Sequence, residues 1–433
     1  MDEELGGIDR GEVLIESDRI VQVGRDLDAR GADVWNYPDM IVMPGFVDAH
    51  RHTWQTVVRH CAVGWDLAAY QQNVQGVVGE RFTPDDAYVG NLLGALSALD
   101  AGITTLRDES HVQNSPEHTD ELIRALRDSG IRACFAYGWP STDAMSWLWD
   151  SDRSIPDDIS RVRFEVLADD SALVTMHAHL RGPELSTIQV TRADVARARE
   201  LGLRMSMHMG TGEYGLKYHG IRAIAESGLI GADMTFVHCC TSTERELGLI
   251  AAAGASACVT PAVEATMPGL GAPATGRLLQ HGVRPALGVD VEVGTPGDMF
   301  SIMRAALLSE RLRGTLLNES NGPELRAHDL LAFATIDGAV ALGLQDTIGS
   351  IASGKQADLI LLSGDDLNLV PTSDPEGALV AAGHAGNVDT VLVAGRVRKR
   401  DGKLIRGDIG EVIERGRQSG DRLLKPDAAS APS

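Results

Sequence analysis

Five times along this chain a helical pattern stops at a glycine and a short apolar run follows at once. The instances are "DAGITTLRDES" at Gly102, "DSGIRACFAYG" at Gly130, "ELGLRMSMHMG" at Gly202, "AAGASACVTP" at Gly254 and "QHGVRPALGVD" at Gly282. Glycine suits the left-handed residue just past a helix end, because it carries no Cβ to clash there. Runs that are apolar at consecutive positions belong to strands covered on both faces. The helix starts carry matching signals. "TPDDAYVGNLLGALSAL" offers Thr83 as N-cap with Pro84 behind it, and "SPEHTDELIRALRDSG" repeats the arrangement with Ser115 and Pro116. "TSTERELGLIAAAG" gives Thr241 and Glu244 the spacing of a capping box.

Adding "IVMPGFVDAH", "ALVTMHAHL" and "DMTFVHCC" brings the strands to eight, starting near residues 41, 103, 131, 172, 203, 234, 255 and 283. Eight strand–helix units over about 300 residues predict an α/β fold of the (β/α)8 TIM-barrel type. A doubly wound open sheet alternates in the same way, but no glycine-rich phosphate loop follows any of these strands. Both chain ends alternate instead. "GEVLIESDRIVQVG" reads as a hairpin around Ser-Asp, and "ADLILLSG" and "VDTVLVAGRVRKRDGKLI" behave alike. Neither end has enough strands for a core of its own, so the two are expected to pair into one small β-sandwich domain. The expected organisation is residues 1–40 with 347–412 as that composite β-domain, 41–346 as the barrel, and 413–433 as a mobile tail.

A formal net charge of −22 argues against a nucleic acid or an anionic membrane as partner. No apolar segment approaches the ~20 residues that a membrane-spanning helix needs. "MDEELGGIDRGEV" is acidic where a secretory leader is basic and then apolar. A cytoplasmic protein acting on a small molecule is expected, with self-association left open. Five cysteines, an odd number in a long chain, do not suggest a disulfide framework. Cys239 and Cys240 read as buried packing residues.

On a barrel the working face lies at the C-terminal ends of the strands. The first strand ends in Asp48, His50 and His52, the fifth in His208, the sixth in His238 and the eighth in Asp290. Residues two apart on a strand point to one side, so His50 and His52 face a common point. Converging imidazoles with a carboxylate suit a borderline divalent ion such as Zn²⁺. His177 and His179 share the same spacing, which shows that one His-X-His pair is weak evidence. Agreement among separately placed strand ends gives the first pair its weight.

"PGFVDAHRH", the histidine of "SMHMG", "FVHCC" and "ALGVD", in that order, resemble the amidohydrolase superfamily. The nearest match is its cytosine-deaminase-like and chlorohydrolase-like branch, and the likeness covers nearly the whole chain, including "GSIASGKQADLILL". It implies one divalent metal per chain, zinc first and iron second, held by His50, His52, His208 and Asp290. It also implies that Asp290 takes a proton from metal-activated water while His238 orients and polarises. No lysine stands in "SALVTMHAHL", so the bridging carboxylated lysine of two-metal relatives is not expected. The implied reaction is hydrolysis of a non-peptide C–N bond in a small cyclic or aromatic molecule, by deamination or by opening of a cyclic amide or imide. A lyase, isomerase or dechlorinating reaction at the same metal is the alternative, followed by a non-catalytic binding protein.

Relatives of that branch place a glutamate three residues after the fifth-strand histidine, and this chain has Thr211 there. A hydroxyl donates a hydrogen bond but is not an acid of pKa ~4–7. Glu213 reads first as a solvated loop carboxylate, and Glu264 stands evenly between that and a place at the barrel mouth. Trp54 and Gln55 directly follow the metal pair and offer a stacking face and an amide. Glu109, His111 and Asn114 lie in the loop after the second strand. Arg181, after the fourth, is a candidate partner for a substrate carboxylate. "WPSTDAMSWLWD" concentrates three tryptophans that could wall the pocket, cover it, or pack over a helix.

Overall fold

The computed structural model describes residues 7–317 and 324–425. Strands β1 (Glu12–Glu16) and β2 (Arg19–Gly24) form an N-terminal hairpin. The run expected to be the first barrel strand is cut in two. β3 (Met40–Pro44) leaves the barrel and pairs antiparallel with a C-terminal strand, while β4 (Phe46–Arg51) enters it. The break falls at Pro44-Gly45. Proline offers no N–H to prolong the ladder, and a Cβ on Gly45 would lie 2.1 Å from Thr104 Oγ1.

The barrel continues with β5 (Ile103–Ser110), β6 (Arg132–Tyr137), β7 (Val174–His179) and β8 (Met205–Met209). It ends with β9 (Met234–His238), β10 (Ser256–Val259) and β11 (Ala286–Leu287), every neighbour parallel and in chain order. All residues of β5 and β6 are buried, as strands covered on both faces require, although β5 carries Arg107, Asp108 and Glu109. The ring closes at a bridge between Arg51 and Asp290. There His52 N–H donates to the Asp290 carbonyl at 2.8 Å, and Asp290 N–H to the His50 carbonyl at 2.9 Å. Asp48 tightens the same seam, accepting from Val289 N–H at 3.0 Å and facing Arg51 at 3.3 Å.

The five punctuating glycines have φ of +86°, +74°, +69°, +62° and +75°, all left-handed. Thr83 and Asp86 form a reciprocal capping box on the helix Pro84–Asp100. The box expected at Thr241 and Glu244 lies two residues on, at Thr243 and Glu246. Thr241 is already committed, its N–H to the Gly210 carbonyl and its hydroxyl to that of Gly212. Ser115 occupies an N-cap position without capping through its side chain, which donates to Glu117 instead.

β12 (Leu359–Ser363), β13 (Val388–Val393), β14 (Arg396–Arg400) and β15 (Lys403–Leu404) join β3 in an antiparallel sheet ordered β15-β14-β13-β12-β3. The β1–β2 hairpin lays Ile20, Val13 and Ile15 on Leu359, Leu361 and Leu392 of that sheet. Both chain ends thus build one small two-layered unit. It is locked to the barrel by Arg132 on β6, whose guanidinium donates to buried Asp358 at 2.8 and 3.0 Å. Arg132→Ala strands a buried carboxylate and is expected to cost about 3–5 kcal/mol, read as a lower urea midpoint.

The tail expected to be mobile from residue 413 is a helix, Ile409–Leu423, lying on the helix Pro84–Asp100. Val412 and Leu423 are buried, and Gly416 lets Leu93 approach closely. The Pro/Ala/Ser-rich composition that suggested mobility begins only after Lys425, and residues 426–433 lie outside the described part. Truncation at Arg406 is expected to uncover that apolar seat and lower the thermal midpoint by several degrees. Among the described residues no helix is long and apolar enough to cross a membrane. Cys239 and Cys240 are buried and unpaired.

Candidate active site

His50, His52, His208, His238 and Asp290 meet at the mouth of the barrel. Two of them hold strained backbone, His238 at φ +74° and Asp290 at φ +66°, in the left-handed region that non-glycine residues rarely adopt. Their partners fix the tautomers. His50 Nδ1 lies 3.1 Å from Glu109 Oε1, and His52 Nδ1 donates to the Glu109 carbonyl at 2.7 Å. With protons on Nδ1, both Nε2 lone pairs turn inward. There His50 Nε2 stands 3.2 Å from Asp290 Oδ1 and 3.3 Å from His208 Nε2, and His52 Nε2 stands 3.5 Å from Asp290 Oδ1. Acceptors face acceptors, and a shared cation reconciles them. The donor set therefore fits a divalent metal.

The electrostatics express the same demand for positive charge. A second proton, on His50 Nε2, is the other way to reconcile these acceptors: burial opposes it, but the Glu109 and Asp290 carboxylates lift the His50 pKa to about 10, and a cation bound there would take that proton's place. Burial likewise opposes ionising Asp290, yet His50 brings it down to about 2. His52 is pushed to about 4 by burial and by His50, so it stays neutral and ligand-ready at ordinary pH. Burial works against Glu109 too, but His50 and His179 hold it well below the usual carboxylate range. His238 turns Nδ1 to Thr260 Oγ1 at 3.1 Å and to Glu264 Oε1 at 3.2 Å. Its Nε2 lies 4.0 Å from Asp290 Oδ2.

Several residues expected to meet substrate have other work. The chain turns sharply after His52, so Trp54 is buried, edge-on to Phe82 and His111, and does not line the cavity. Gln55 also points away, donating to the Tyr70 hydroxyl at 2.7 Å. His111 packs beneath His52, rings 4.5 Å apart, and burial with its neighbouring imidazoles holds it well below the ordinary histidine range. Asn114 latches two loops, donating to the Gly79 carbonyl at 2.9 Å and accepting from Ser141 N–H at 2.9 Å. Arg181 pairs with buried Asp194 at 3.2 Å and donates to Ser151 at 2.9 Å, leaving it no fork for a substrate carboxylate. Glu264 positions His238 rather than lining the cavity, and Glu213 faces solvent. Thr211 does line the cavity.

Three groups with a place here, His179, Tyr70 and Glu184, were not singled out for it, and Glu109 was read on a loop. Glu109 lies inside β5 rather than in the loop after it, and its carboxylate bridges His50 and His179, the latter at 2.8 Å. His179 ends β7 and stacks on Trp139, ring centroids 4.6 Å apart, so the tryptophan-rich loop supplies a wall of the cavity. Tyr70 belongs to the same cavity wall. Glu184, in the loop after β7, reaches it as well. Its Oε1 accepts from Gly210 N–H at 2.7 Å and its Oε2 from Thr211 N–H at 3.1 Å. A signal for Glu109 and His179 existed, since each closes a strand whose end faces the mouth. Nothing local marked Glu184.

The model of the amidohydrolase family matches residues 41–398. A 5'-deoxyadenosine deaminase from Methanothermobacter thermautotrophicus is 28% identical over 414 residues, covering 93% of this chain and 92% of that protein. A 5-methylthioadenosine/S-adenosylhomocysteine deaminase from Symbiobacterium thermophilum is 29% identical over 444 residues, covering 96% and 95%. An adenosine deaminase from Xanthomonas campestris, solved with bound zinc, aligns with a TM-score of 0.82 at 24% identity, over 96% of this chain and 94% of that one. An atrazine chlorohydrolase from Arthrobacter aurescens, complexed with zinc, aligns at 0.83 and 21%, over 96% and 97%. At such identities the solved structures establish likeness of fold. The family match spans the barrel from β4 to β11 and most of the sheet that both chain ends build: the chain belongs to the amidohydrolase family, whose members are metal-dependent.

Proposed function

We propose that this enzyme hydrolyses a non-peptide C–N bond of a small heterocycle with one divalent metal, zinc first, in the cytoplasm. The observation that carries the proposal is the inward convergence of His50 Nε2 and His52 Nε2 on Asp290 Oδ1, with His208 Nε2 beside that of His50. His50, His52, His208 and Asp290 would hold the metal, which supplies a water of pKa ~7 when bound. Asp290 accepts that water's proton and returns it to the departing nitrogen. His238, oriented by Thr260 and Glu264, stabilises charge growing on the attacked centre. Trp139 and Tyr70 flank the cavity and suit a flat ring. The two deaminases similar to this chain put amino-substituted purine nucleosides first among substrate classes.

The test is a panel of aminopurine nucleosides, aminopyrimidines, cyclic amides and cyclic imides offered to zinc-loaded protein, with ammonia and mass detection. Turnover in oxygen-18 water is expected to place the label in the product. Chelation is expected to abolish turnover, and added zinc to restore it. Product free of the label would establish a non-hydrolytic reaction instead.

A further inference from the structure

When water adds to the carbon of an amino-substituted C=N unit, the neighbouring ring nitrogen must gain a proton, and Thr211 has no acidic proton to give. Among the described residues lining the cavity, the carboxyl groups are Asp290 and Glu184. Asp290 serves the attacking water in the reaction proposed above. Glu264 spends Oε1 on Thr260 and His238, and Glu213 is exposed.

We propose that Glu184 is the catalytic acid, delivering from the β7 loop the proton that position 211 cannot. The assignment rests on the C–N hydrolysis proposed above. Its geometry is built in. Gly182, at φ +64°, folds the loop back beneath β8, where a Cβ would meet Met209 Cε at 2.2 Å. The carboxyl then seats on the backbone of Gly210 and of Thr211, the residue that lacks one. Gly220 leaves it room, since a Cβ there would sit 2.9 Å from Glu184 Oε1. Each carboxyl oxygen takes one of these N–H bonds, Gly220 N–H adds a third, and the side chain still lines the cavity with acceptor capacity to spare. Burial also pushes the Glu184 pKa up to about 7, against the pull of its backbone donors, so a proton is at hand near neutrality.

The step balances. Water oxygen bonds to carbon, one water proton goes to Asp290, and the Glu184 proton goes to the ring nitrogen. The Asp290 proton then joins the amino group, which leaves as ammonia with the C–N electron pair. The remaining hydroxyl proton returns to Glu184 as the carbonyl forms.

The test uses zinc-loaded full-length protein and whichever panel compound releases ammonia. Glu184→Gln is expected to lower kcat about 10²–10⁴-fold, with KM, zinc content and thermal midpoint close to wild type. The alkaline fall of kcat above about pH 7 in wild type should disappear in that variant. Thr211→Glu added to Glu184→Gln should recover at least about tenfold, by seating a carboxyl beside the vacated one. If the amide variant does not fold against the two N–H groups, Glu184→Asp is the second arm, with a lowered kcat and the alkaline fall retained. Wild-type kcat in either folded variant, or loss of zinc together with kcat, overturns the assignment alone. Absence of ammonia from wild type on every compound overturns the hydrolytic reading, and the assignment with it.

Discussion

Asp290→Asn is expected to stop turnover, with kcat falling about 10⁴-fold and the fold intact. Asparagine keeps the shape of the side chain and tolerates the left-handed backbone at this position, φ +66°, better than most residues do. The backbone bonds that Asp290 exchanges with His50 and His52 do not involve its side chain. What disappears is a carboxylate that burial alone would neutralise and that His50 holds down to about pKa 2. The amide can neither offset the positive charge gathered at the mouth nor take a proton from water. Ammonia release measured beside the thermal midpoint separates these effects. A variant within tenfold of wild type would remove Asp290 from the chemistry.

Glu109→Gln is expected to weaken zinc binding about 10–100-fold while leaving kcat at saturating zinc much less affected. One carboxylate faces two N–H groups, His50 Nδ1 at 3.1 Å and His179 Nδ1 at 2.8 Å. An amide accepts at one end and donates at the other, so one of the two rings must change tautomer or rotate. If His50 changes, its Nε2 gains the proton and ceases to be a ligand. Competition against a chromogenic chelator reads the affinity. Unchanged affinity would reduce Glu109 to a packing role.

The barrel was legible because its signals repeat: glycine stops, capped starts and unalternating apolar runs each follow from backbone physics at one position. The histidines that meet at the barrel mouth were legible for a related reason, since they close strands. Trp54 and Gln55 misled because adjacency to His52 in sequence suggested adjacency in the cavity, whereas a tight turn carries both beneath it. Asn114 and Arg181 were read as free polar groups, but Ser141 and Asp194, which occupy them, come from other elements. Glu184 was invisible for the mirror-image reason. Its importance depends on two backbone N–H groups 26 and 27 residues further on, which no local pattern encodes. The helical C-terminus was missed because a polar, charged composition was read for the whole tail, when Val412, Gly416 and Leu423 fall on one side of it.

The seam where the ring closes has a bearing on how this chain comes to be active. Residues 240 apart, His50 and Asp290, supply both the backbone clasp of the barrel and two of the donors proposed for a cation. A refolding molecule that has not yet joined its two halves owns no such donor set, so the proposed divalent ion would select the closed ring alone. Saturation at a thousandfold excess over Kd would deepen that state by about 4 kcal/mol, and the ion would behave as a latch against reopening.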